Sequence, residues 1–173
     1  MISNPPPSAF HQRLVFDADN GAILDQTRRY MLLRPDALMG IFRKLPEPAK
    51  RQALEALKAS IFEQGSDSAK AYRAMGSGSA AELLETIAAT APQLGWGRWQ
   101  FSAGDGAITL NVENSPFAAG HGASPYPVCH AIAGMLEAVS GMVLGKRTSA
   151  QELECAAMGA PCCRFEARPL GLA

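Results

Sequence analysis

Apolar and polar residues alternate along three parts of the chain, each broken by a tight turn, and recur at helical spacing along four others. LVFDADNGAILD alternates on both sides of Asn20-Gly21, a pair that readily adopts the left-handed backbone of a two-residue turn, so residues 14–25 read as a hairpin. YMLLRPDALMGIFRKL is an extended segment leading into a short helix, with Pro35 in its first turn. A second helix begins near Pro48. There Leu54, Leu57 and Ile61 form a core-covering stripe while Arg51, Glu55 and Lys58 turn elsewhere. Gly76 to Gly78 interrupt the pattern. Ser79 and Glu82, three residues apart, form a capping box that opens a helix carrying Leu83, Leu84 and Ile87 and ending near Pro92 or Gly95. WGRWQFSAGDGAITLNVE is a second hairpin about Gly104-Asp105-Gly106, with Trp96, Phe101, Ile108 and Leu110 on its apolar face. NSPFAAGHGASPYP reads as a loop. Residues 129–144 then place Ile132, Met135, Leu136, Val139 and Val143 on one helix, the element expected to be most buried. ELECAAM and CCRFEARP close the chain as two extended runs flanking Gly159-Ala160-Pro161.

These elements fit a single α/β (α+β) domain, with antiparallel sheet packed against helices, because 173 residues suffice for one hydrophobic core and are few for two. The proline-rich MISNPPPSAF predicts a flexible tail over residues 1–10, leaving 11–173 as the domain. Apolar residues make up 47% of the chain and charged ones 18%, a balance that folds. Sixteen basic residues offset sixteen acidic ones and no basic run stands out, which disfavours direct nucleic-acid binding. Without a signal peptide's basic and apolar regions, or 18 consecutive apolar residues, a cytoplasmic protein with no membrane span is expected.

In a reducing compartment, four cysteines that all follow residue 128 suggest metal-binding thiolates more than disulfides. Cys129, Cys155 and Cys163 would supply three soft donors, and a carboxylate would complete a tetrahedral zinc site joining the last helix to the final hairpin. Spacing alone leaves two other readings open: small buried hydrophobes, or a vicinal Cys162-Cys163 disulfide.

The stretch PVCHAIAGMLEAVSGMVLGKRTSAQELECAAMGAPCCRF resembles the C-terminal part of the 4-vinyl reductase domain family, also found as the sensor domain of aromatic-hydrocarbon-responsive activators. The likeness extends more loosely through NVENSPFAAG and LVFDADNGAILD. It implies an α/β fold related to vesicle-tethering TRAPP subunits, a hydrophobic cavity and a homodimer. It also implies that Cys129, Glu152, Cys155 and Cys163 hold a structural zinc in a C-terminal zinc-bound hairpin. The choice of Glu152 over Glu154 rests on the resemblance. Cys162 is left over, as an inert or oxidation-sensitive thiol.

The same resemblance places a cavity between the helices and the hairpin at residues 96–113, with Trp99, Phe101, Val112, Phe117, Tyr126 and Met135 as candidate lining residues; each of them also suits ordinary core packing. Where phenol-sensing relatives would carry a ligand-contacting tryptophan, this chain has Val112. His121 and His130 could touch a ligand or a tetrapyrrole metal, or simply be hydrogen-bonded. The expected function is binding a hydrophobic or aromatic small molecule as sensor or carrier. The alternative is a tetrapyrrole (bacteriochlorophyll) biosynthesis protein, acting as enzyme or carrier. No G-x-G-x-x-G follows a strand and no G-x-S-x-G elbow occurs, so no catalytic residue is assigned and enzyme activity is the minority reading.

Overall fold

The computed structural model describes residues 10–74 and 78–171, without the side chains of 68–74. Most of the expected tail and the Gly76-Ser77 break lie outside these residues. A one-turn helix α1 (Phe10–Arg13) leads into a small antiparallel sheet ordered β1 (Val15–Asp17), β2 (Ala22–Asp25) and β3 (Arg28–Tyr30). The first turn is the expected one, with Gly21 at φ 60°. Strand β3 is additional: the chain reverses again through Gln26 at φ 57°, which alternation alone does not signal. Arg13 pairs with the buried Asp25 at 3.0 Å and holds α1 against this sheet.

Helices α2 (Pro35–Lys44), α3 (Ala49–Ala74) and α4 (Ala80–Thr90) follow, and a 3-10 turn (Ala91–Leu94) ends at Gly95 in the left-handed region, φ 73°. The capping box forms as expected: Ser79 accepts from the Glu82 amide, and the Glu82 side chain accepts from the Ser79 amide. The second sheet has the order β4-β5-β7-β6, all antiparallel, from β4 (Arg98–Gly104), β5 (Ala107–Glu113), β6 (Thr148–Glu154) and β7 (Cys163–Pro169). On β5 the side chains of Ile108, Leu110 and Val112 are fully buried, and on β7 those of Cys163, Phe165 and Ala167. Both sets follow the two-residue period of a strand with one face on the core.

Against that face lies α6 (His130–Leu144), with eight of its fifteen residues buried. Helix α3 packs across it. A Cβ added at Gly134 would stand 2.3 Å from the Lys58 carbonyl oxygen, so the two backbones approach as closely as glycine permits. Lys58 bridges this junction, its Nζ 2.9 Å from Glu137 Oε2 and 2.6 Å from the Ala150 carbonyl of β6.

Two stretches differ from the sequence reading. Within the expected loop NSPFAAGHGASPYP, Pro116–His121 form helix α5, capped by Ser115, whose hydroxyl accepts from the Ala118 amide. Six residues are too few to display a helical period. Within ELECAAM, the strand ends at Glu154, and Ala156–Met158 curl into a 3-10 turn that closes at Gly159, φ 95°. No helix among the described residues is long and apolar enough to cross a membrane.

Candidate metal centre and ligand cavity

Four side chains from three elements meet beneath the second sheet. Cys129 is the residue that begins α6, Glu152 lies on β6, Cys155 follows that strand, and Cys163 opens β7. Cys129 Sγ is 3.9 Å from Cys155 Sγ and 3.7 Å from Cys163 Sγ, and one donor atom from each of the four residues lies within 4.8 Å of all the others. All three cysteines are buried.

A register shift on β6 decides which glutamate takes part. Glu152 stands opposite Phe165, but Glu154 stands opposite Arg164 rather than Cys163, so one extra residue is inserted between them. The insertion turns Glu154 to the other face, where Arg164 holds it at 2.6 Å. Glu152 stays inside. Its Oε2 accepts from the Cys129 amide at 2.8 Å, while its Oε1 is buried without a hydrogen-bond partner. An unpartnered carboxylate oxygen facing three thiols is costly unless a cation joins them. The donor set therefore suits a metal ion.

Supporting contacts come from residues that the sequence reading passed over. The Ala156 amide donates to Cys163 Sγ at 3.3 Å, and Ser115 Oγ lies 3.2 Å from Cys129 Sγ. The Ser-Pro start of α5 was the available signal for Ser115.

Without a cation the four groups divide their protons unequally. Burial first, then the adjacent Cys155, pushes Glu152 up to about 8. Hydrogen bonds from Cys129 and Cys163 pull Cys155 down to about 2, whereas Cys129 is pushed up by those same thiol contacts and by burial. Cys163 is lowered by Cys129, but Cys155 and burial outweigh this and bring it to about 12. The cluster thus favours one thiolate, with the remaining protons shared among its neighbours.

Cys162 is partly exposed and outside the cluster. His130 faces Glu55 at 3.3 Å through Nε2, and burial lowers its pKa; its Nδ1 is buried without a partner. His121 is buried on α5, its Nδ1 3.3 Å from the Gly122 carbonyl oxygen.

A cavity of 690 Å³ opens between the small sheet, α3, α4 and the start of β4. Its apolar wall comes from Ile61, Gly65, Ile87, Trp96, Trp99 and Met135. Of the six residues expected to line a cavity, Trp99 and Met135 do. Phe101 and Phe117 stand one layer behind, packed edge-on against Trp99 and Trp96 with ring centroids 5.9 and 5.1 Å apart. Val112 is fully buried, paired in register with Trp99 on one side and Cys163 on the other. Tyr126 lies elsewhere: it donates to Glu47, and Arg51 sits over its ring at 4.3 Å.

Residues 108–169 match the 4-vinyl reductase domain. The matched segment runs from β5 through β7 and contains all four clustered residues. No curated protein sequence matches the chain. Among solved structures, the phenol-responsive sensory domain of the transcription activator PoxR, determined with phenol, is similar at 25% identity and TM-score 0.79, covering 92% of this chain and 86% of that one. A trafficking protein particle complex subunit 3 from Naegleria fowleri, covalently bound to palmitic acid, shares the fold at 12% identity and TM-score 0.55 over 79% of this chain and 95% of that one. A vinyl-4-reductase family protein from Methanocaldococcus jannaschii aligns at 16% identity and TM-score 0.49, over 82% and 98%. The molecule is a mixed α/β domain of the 4-vinyl reductase type.

Proposed function

We propose that this chain is a small-molecule-binding domain, a sensor or carrier, that takes a hydrophobic or aromatic ligand in the tryptophan-walled cavity and is braced by a structural zinc on Cys129, Glu152, Cys155 and Cys163. The observation that carries the binding reading is the 690 Å³ cavity walled by Trp96 and Trp99, in a chain alike over 92% of its length to a domain solved with phenol. That volume falls in the range of small-molecule sites, roughly 300–1,000 Å³.

Zinc is supported by the spacing of the sulfurs. Zn–S bonds of about 2.3 Å at a tetrahedral angle place two sulfurs about 3.8 Å apart, and the separations here are 3.9 and 3.7 Å. Four protein donors fill the coordination sphere, which fits a structural role; the ion would neutralise the buried anionic donors and fix α6 to the β6–β7 hairpin. Cys129 starts the helix that carries Met135 into the cavity wall, so the bracing reaches the ligand site.

A homodimer belongs to the same proposal. Phe16, Met31 and Leu32 are 65, 73 and 81% exposed on and beside the small sheet, an apolar surface suited to a second copy, and the intact mass under native conditions tests it.

Both tryptophans of the chain line the cavity, so fluorescence reports binding directly. A neutral aromatic such as 2-naphthylmethanol should bind saturably to the wild type. An Ile61→Trp variant, which fills the cavity from α3, should lose that binding while keeping its far-ultraviolet dichroism. Unchanged binding in the variant contradicts the site.

A further inference from the structure

We infer that the ligand of this cavity is an anionic amphiphile, an aromatic or acyl body bearing one carboxylate, with the head group held at the mouth by Arg28. The inference rests on the cavity being the ligand site and adds its chemical class.

The polarity of the cavity is arranged by depth. On the floor, the two buried polar side chains spend their donors inside the protein: Trp99 Nε1 donates to the Trp96 carbonyl at 2.9 Å and Thr90 Oγ1 to the Thr86 carbonyl at 2.7 Å. Around them lie Ile61, Ile87, Ala91 and Met135. A ligand's polar group finds no spare donor from those two side chains, and burying it unpaired would cost binding. The rim is different. Arg28 and Arg29 of β3 are exposed and line the mouth. Arg29 gives one N–H to the Gly21 carbonyl at 3.1 Å, whereas Arg28 has no hydrogen-bond or ion-pair partner among the described residues.

Asp67 of α3 also lines the cavity, so the lining carries two positive charges and one negative. A net single positive charge suits a monoanion better than a dianion. Guanidinium and carboxylate match as planar, two-pronged partners. At the mouth the head group keeps part of its water, so the pairing incurs little desolvation. The apolar body then points inward onto Trp96 and Trp99.

Calorimetric titration with two matched pairs tests this: 2-naphthoate against 2-naphthylmethanol, and octanoate against octanol. The wild type should bind each carboxylate about fivefold more tightly than its alcohol at low salt, as expected for an exposed ion pair, and the preference should shrink at high salt. Arg28→Met should abolish most of the preference while leaving affinity for the alcohols unchanged, which also shows that the variant's cavity is intact. Alcohols bound as well as carboxylates by the wild type would overturn the inference and leave the cavity reading standing, as would a preference that survives Arg28→Met. Failure of all four compounds to bind would overturn both.

Discussion

Glu152 shows how a single side chain takes its character from its surroundings. Its sequence context, Glu-Leu-Glu-Cys, offers two glutamates equally, and strict alternation would aim both at one face. The inserted residue on β6 separates them, leaving Glu154 on Arg164 and Glu152 among the thiols. Burial raises Glu152 from 4.5 to about 8. A carboxyl whose folded value is raised contributes stability that is complete below its unfolded value and is lost as pH climbs through the folded one. Metal-free wild type therefore loses the Glu152 contribution between about pH 4.5 and 8. Glu152→Gln has no such proton to lose. In chelator, its stability relative to metal-free wild type should rise across that window, as read from urea midpoints; a difference independent of pH contradicts this account. The three cysteine ligands were readable from sequence because thiol chemistry and clustering narrow the choices. Tyr126 was not readable as a residue apart from the cavity, since its contacts with Glu47 and Arg51 join segments far apart in the chain.

At the level of elements, period and punctuation identified those long enough to show them. The stripe Leu54, Leu57, Ile61 lies on α3, Ser79 and Glu82 cap α4, and the Gly104-Asp105-Gly106 turn joins β4 to β5. Helix α5 and strand β3 went unread because six and three residues carry too little pattern. Nor could sequence alone tell which side of α6 meets α3. Gly134 settles it, since any side chain there would strike the Lys58 carbonyl at 2.3 Å. Gly134→Ala should therefore destabilise the fold by about 1–3 kcal/mol, the usual range for overpacking a close contact, despite alanine's better helix propensity. Thermal melts check the sign, and a variant as stable as wild type would mean that α3 and α6 are not so close.

For the whole molecule, the fold divides the work between two ends of one core. The β6–β7 hairpin and the start of α6 converge on the cysteine and glutamate cluster, while the small sheet, α3 and α4 enclose the cavity. Helix α6 connects them, with Cys129 at its first turn and Met135 in the cavity wall. The sequence pointed to the cavity's tryptophan and methionine but not to its N-terminal wall, because β3 and the rim arginines come close to α3 and α4 only through tertiary packing. An ion at the cluster would hold one end of α6 and so keep the ligand site in shape. Native mass spectrometry of protein purified under reducing conditions tests this most directly. One zinc per chain in the wild type and none in Cys163→Ser is the predicted result. Metal-free wild type with an intact fold, or a variant that retains its zinc, would contradict it.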